Sequence, residues 1–148
     1  MNVLNAVISG MLGTFAISAV MAVAPMMGMP KMDIVDMLST MFGKPNRILG
    51  WIMHLMMGVV FALIYAYLWS LGIGSPGWLS GIIFGAAHWL MVGLMMTVIP
   101  MMHVGIKNGE VEAPGLWMTN QGGGLAFIGG LMGHIVFGLV VALVQVII

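Results

Sequence analysis

Cysteine is absent from the 148 residues, which excludes disulfides, thiolate metal sites and cysteine catalysis. Charge is almost absent as well: there are four Lys and Arg against four Asp and Glu, for a net charge of zero. So few cations leave no surface that could hold a phosphate backbone, and no nucleic acid partner is expected. The long apolar stretches contain no Asp, Glu, Lys or Arg. Acid-base work inside them would fall to histidine alone. A pump or proton-coupled carrier, which ordinarily needs an intramembrane carboxylate, is therefore disfavoured, and an enzyme is not expected.

What is present is hydrocarbon. The chain is 61% hydrophobic and only 5% charged, where soluble domains carry roughly a quarter charged residues. About 20 apolar residues at 1.5 Å rise cross a bilayer core, and four such runs are predicted, at Val3 to Ala24, Ile48 to Ser70, Trp78 to Ile99 and Gly124 to Ile147. The first has no basic n-region and no small-residue cleavage site, so it reads as a retained helix. The expected fold is all-α, a polytopic membrane protein with a four-transmembrane-helix bundle forming a single membrane domain over residues 1–148.

The basic residues Lys31, Lys44, Arg47 and Lys107 all fall between helices one and two or between helices three and four, as do Asp33, Asp36, Glu110 and Glu112. The positive-inside tendency makes that side cytoplasmic and puts both termini and the Leu71 to Gly77 turn on the other side. In the first loop, Asp33 to Phe42 has apolar positions at 34, 37, 38, 41 and 42, the spacing of a short amphipathic helix. Lying at the lipid interface is the favoured reading of that helix, ahead of a lid. The second loop, Met101 to Gly123, carries Trp117 as an expected interfacial anchor. It ends in Gly122-Gly-Gly124, a flexible connection; the Lys and Ser/Thr of a phosphate-binding loop are missing.

The chain also looks like a duplication, with repeat one at about 1–75 and repeat two at about 76–148. Shifted by 75 residues, Gly10, Met21, Val23 and Pro25-Met-Met27 fall on Gly85, Met96, Val98 and Pro100-Met-Met102. Shifted by 76, Ile52, Leu55, Val60 and Phe61 fall on Ile128, Leu131, Val136 and Phe137. Two parallel two-helix repeats would be related by a pseudo-two-fold axis along the membrane normal.

Helix two carries the stripe Gly50, His54, Gly58, Ala62 and Ala66, and helix four carries Ala126, Gly130, His134, Gly138 and Ala142. Small residues at four-residue spacing let membrane helices approach closely. The expectation is that these two stripes pack on each other, His54 opposite Gly130 and His134 opposite Gly58.

Histidines inside membrane helices are costly and usually face the bundle interior. Counted along their helices, His88 and His134 lie near mid-membrane, His54 about a turn nearer the loop side, and His103 just past helix three. They are the candidate cofactor-binding residues: His88 and His134, with His54, are expected to hold haem b or a metal, as histidines on facing helices do. The competing reading has each imidazole hydrogen-bonded to a neighbouring helix, near Thr14 or Ser18, for packing alone. The 19 methionines suggest copper, whose monovalent ion suits thioethers. Met-x-x-x-Met occurs at Met37/Met41, Met53/Met57 and Met91/Met95, but chance alone produces that spacing in a chain so rich in methionine. The loop-side group of Met26, Met27, Met101 and Met102 with His103 is the candidate copper site, although methionine is also a flexible apolar filler.

Taken together, Gly-Met-x-Gly-Thr in helix one, Pro25-Met-Met-Gly-Met-Pro-Lys-Met-Asp33, Trp51-x-x-His54, Ala87-His-Trp89 and Gly133-His134 resemble small four-helix bacterial inner-membrane proteins grouped as domains of unknown function. The resemblance implies an inner-membrane home and supplies no mechanism. Three functions remain open: an accessory or cofactor-handling subunit with an intramembrane histidine site; a purely structural subunit of a homo-oligomer or larger membrane complex; and a passive pore or carrier for a small uncharged solute or copper.

Overall fold

A computed structural model describes all 148 residues. Six helices form: α1 (Val3–Val23), α2 (Ile34–Ser39), α3 (Arg47–Ser70), α4 (Trp78–Met95), α5 (Val104–Lys107) and α6 (Gly123–Ile147). Of these, α1, α3, α4 and α6 are long and apolar enough to cross a membrane. Asn2, Asp33 and Asn46 cap α1, α2 and α3 through side-chain oxygens that accept from Asn5, Asp36 and Leu49 backbone N–H groups, satisfying donors that a helix start otherwise leaves bare. α4 ends four residues earlier than the hydropathy predicts. After Met95 the chain tightens into turns in which Thr97 donates to Leu94 O and Val98 to Met95 O, and Pro100 lies in the short 3₁₀ segment Ile99–Met101 that follows.

α1 runs antiparallel to α6. Asn5 Nδ2 donates to the Ile148 carbonyl over 2.6 Å, and Gln145 lies 3.4 Å from Ser9 Oγ. Both termini and the Leu71–Gly77 turn therefore sit at one end, and the two long loops at the other. Those loops interlock: Val104 and Gly105 donate backbone hydrogen bonds to Met41 and Thr40, and the His103 ring bonds Met37 O at 2.8 Å. α2 is folded onto the start of α3, with Val35, Met37 and Leu38 buried, and the Val35 carbonyl presses on Gly50. Trp117 fills the gap over Gly93, its indole donating to Leu90 O at 3.2 Å.

The spans pack around a ring in which α1 touches α3 and α6, and α4 touches α6. Glycines set the close approaches. A Cβ on Gly10 would stand 2.8 Å from Gly58 O and from Val59 Cα, and one on Gly81 would stand 2.7 Å from Gly138 O. Gly85 is pressed against the His134 carbonyl and Ile135 Cα. The two glycine stripes thus do not pack on each other as the sequence suggested. Gly58 lies against Thr14 of α1, and Gly130 against the Trp89 ring of α4. A stripe of small residues marks a helix face that is closely approached, and the matching faces here belong to α1 and α4. Between α3 and α4 the contact is made by large rings instead, with Trp69 stacked on Phe84 and its indole donating to Ser80 Oγ at 2.7 Å.

Candidate functional site: a histidine pair between aromatic walls

The site lies where α3, α4 and α6 converge. His88 and His134 come from facing helices, and their ring centroids are 4.8 Å apart, edge to face at 89°. Phe61 stacks on His88 at 3.6 Å, Phe137 meets it edge-on at 5.4 Å, and Trp89 lies 4.9 Å from His134. Mid-membrane convergence of these two histidines was an expectation of the sequence, and the geometry brings them together.

Each ring is anchored through one nitrogen. His134 Nδ1 is 2.8 Å from Gly130 O, one turn earlier on α6. A carbonyl can only accept, so in the neutral ring Nδ1 carries the proton and Nε2 presents a lone pair. His88 Nδ1 is 3.2 Å from the Tyr65 hydroxyl. Neither Nε2 is engaged within the chain. The one side-chain polar atom that is both sealed and unpartnered is Trp89 Nε1, beside His134. Buried donors are rarely left in that state.

His54 does not join the pair by hydrogen bonding. It is buried beside α1, its Nε2 3.1 Å from Ser18 Oγ. Ser18 donates its own proton to Thr14 O over 2.7 Å, so its oxygen accepts from the imidazole. The prediction that histidines would bond neighbouring helices near Thr14 or Ser18 describes His54 well.

The loop-side methionine group is arranged differently from the expectation. His103 is fully buried, and both its nitrogens are used, Nε2 toward Met37 O and Nδ1 accepting from Ile106 N–H at 3.1 Å. It caps α5 and has no nitrogen left for a metal. Met26, Met27, Met101 and Met102 are 68–85% exposed, on the outside of the fold. No group of three or more His, Asp or Glu side chains comes together anywhere in the chain.

A haem held between two axial imidazoles needs their centroids about 6 Å apart with the macrocycle between them. At 4.8 Å the two rings touch, and Phe61 covers a face of His88. The pair does not fit a haem. A single ion bound by both imidazoles sets their centroids about 5–6 Å apart, depending on the angle at the metal. The observed 4.8 Å falls just below the short, bent end of that range, and a linear two-nitrogen ion would need the rings to part by about 1 Å.

Tyr65 was not among the candidates read from the sequence, and Phe61 entered only as the repeat equivalent of Phe137. The available signal was a tyrosine within an apolar span, whose hydroxyl must find a partner. Tyr65 is buried, whereas Tyr67, two residues on and facing outward, is 55% exposed.

A family model matches residues 1–148 in full. The chain belongs to the family of unknown function DUF6789. No curated protein and no solved structure matches this DUF6789 chain.

Proposed function

We propose that this protein is a membrane-embedded metal-handling protein whose His88 and His134 hold one ion through their Nε2 atoms, monovalent copper being the best match. The observation that carries the reading is the pair itself, with both rings in contact, each fixed by its Nδ1 and each leaving Nε2 free. Metal-binding histidines characteristically direct their other nitrogen to a carbonyl or similar group, as His134 does to Gly130 O. Charge selects the ion. The spans hold no carboxylate to neutralise a divalent cation, and an uncompensated buried charge is costly. Two neutral imidazoles around a monovalent soft ion leave the smallest charge to bury, and imidazole is a good copper ligand. His54, bonded to Ser18, is a neighbour of the site and not a ligand.

The test is anaerobic titration of detergent-purified protein with monovalent copper against a chromogenic chelator. One ion per chain is expected, lost in His88→Ala and in His134→Ala and retained in His54→Ala. Equal, weak binding by all four proteins would remove the metal reading. It would leave the structural subunit, which the hydrogen bonds already satisfying one nitrogen of each histidine favour.

The proposal extends to placement and ancestry. Lys31, Lys44, Arg47 and Lys107 all lie at the loop end, which supports a cytoplasmic loop side with both termini outside, in the bacterial inner membrane that the resemblance implies. The outer face of α3, with Ile48, Ile52, Met56 and Val60 exposed in the single chain, supports immersion in lipid or contact with further subunits. The duplication is supported by equivalent contacts: Gly10 approaches Gly58 and Val59, and Gly85 approaches His134 and Ile135, at the same offsets of 75 and 76. A carrier role is the weakest of the readings, because glycine-mediated contacts bring the helices of each hairpin together backbone to backbone.

A further inference from the structure

Two neutral imidazoles around a monovalent ion leave one positive charge inside the bundle. The four spans carry no carboxylate to balance it, and an uncompensated charge in hydrocarbon is costly. The spacing of the pair makes a second demand. A ring separation of 4.8 Å suits an ion whose two nitrogens meet at a bent angle, whereas monovalent copper with only two ligands is linear. A bent pair leaves a third position open on the ion. Tyr65 and His54 do not supply it, since the Tyr65 hydroxyl is bonded to His88 Nδ1 and His54 Nε2 to Ser18. A thioether would fill the position without balancing the charge.

A third feature lies beside His134. The Trp89 ring, 4.9 Å from that imidazole and tilted by 36°, is 1% exposed, and its Nε1 is sealed without an acceptor. An indole N–H cannot serve a cation; it only donates to a lone pair. Met32, Met96, Met118 and Ala126 enclose it in apolar surroundings, where an unbonded N–H costs about 1–3 kcal/mol. An excess positive charge, an open ligand position and an unpartnered donor therefore stand together. One small monovalent anion answers all three.

We propose that the ion held by His88 and His134 takes one halide from solution as its third ligand, and that Trp89 Nε1 donates its hydrogen bond to that halide. The inference rests on the copper reading of the pair. No oxidation state changes: the halide brings its own electron pair, and one monovalent ion, one halide and two neutral imidazoles carry no net charge. Trp89 is a positioning residue for the anion and not a ligand of the metal.

Bromide is the probe, because its scattering at the copper edge cannot be taken for sulfur. Protein loaded anaerobically with one equivalent of monovalent copper is compared in bromide and in methanesulfonate at equal ionic strength. Wild type should show two imidazole nitrogens and one bromide on copper, and chelator competition should find an affinity that rises about tenfold for each tenfold rise in bromide. The Trp89 indole N–H resonance should move on adding bromide only when copper is present. Trp89→Phe should keep both imidazole nitrogens and need about tenfold more bromide for the same affinity, having lost a hydrogen bond to a charged group. An affinity and a ligand shell indifferent to bromide would overturn the inference while leaving the copper site standing. Equal bromide dependence in wild type and Trp89→Phe would overturn the role given to Trp89. No bound copper in either buffer would overturn the copper reading and this inference with it. Should Trp89→Phe fail to fold, the bromide dependence and the indole resonance of wild type decide.

Discussion

Replacing Gly85 by alanine adds one methyl group at the tightest part of the α4–α6 contact. That methyl carbon would meet the His134 carbonyl and stand 2.8 Å from Ile135 Cα. Carbon atoms rest about 3.5–4.0 Å apart, so the helices must separate by roughly 0.7 Å or more. Both obstacles are backbone, and no side-chain rotation relieves them. A gap of 0.5–1 Å forfeits about a quarter to a half of the dispersion energy along the contact, and overpacking of this kind costs about 1–3 kcal/mol. Gly124→Ala is the internal control. It lies in the first turn of α6 with nothing within 4 Å of its added carbon, so the change should be neutral or favourable by up to about 1 kcal/mol. Reversible unfolding in mixed micelles titrated with a denaturing detergent measures both. Gly85→Ala should also weaken copper binding, because the His134 backbone is what the methyl group displaces. A Gly85→Ala protein as stable as the Gly124→Ala protein would refute the claim that glycine-mediated backbone approach holds the second hairpin together.

Tyr65→Phe keeps the aromatic packing and removes only the hydroxyl on His88 Nδ1. Copper affinity should fall about 10–100-fold, as it does when outer-shell partners of ligating histidines are removed, and chelator competition reads it. Trp69→Phe should cost about 1 kcal/mol in the same micelle titration, because its indole donates to Ser80. Trp89→Phe breaks no hydrogen bond, because Nε1 there has no partner to lose, and should cost only the packing of the lost ring atoms within the buried cluster around Met32, Met96 and Met118, about 0.5–3 kcal/mol. His103→Ala leaves Met37 O and Ile106 N–H without their partner, at about 1–3 kcal/mol. Amide exchange over Val104–Lys107 should accelerate while copper binding stays intact.

Much of this fold could be read in the sequence because hydropathy is a property of single segments. Helices α1, α3 and α6 begin and end within about a residue of expectation. α4 alone stops early, the chain tightening into three-residue turns after Met95 where the hydropathy still runs on. The amphipathic spacing in the first loop marked a real helix, α2, although the helix ends at Ser39 and the chain beyond it turns to meet the second loop. Which helix lies against which is a property of pairs of faces, and there the sequence misled. The stripes through Gly58 and Gly130 are real, but the surfaces that complement them, Gly10 with Thr14 and the ring of Trp89, belong to α1 and α4. The meeting of His88 and His134 was legible as equal depth in neighbouring spans. The partnership of His88 with Tyr65 was not, because it depends on the rotation of α3, which the packing of Trp69 on Phe84 fixes. The exclusion of His103 from metal binding was equally hidden, since only the folded loops show both its nitrogens in use.

X-ray absorption at the copper edge, on protein loaded with one equivalent of monovalent copper, tests the central claim most directly. The account predicts a first shell containing two imidazole nitrogens with no thioether sulfur from the exposed methionines, and loss of that signal in both His88→Ala and His134→Ala. A sulfur-dominated shell, or a spectrum unchanged by either substitution, would contradict it.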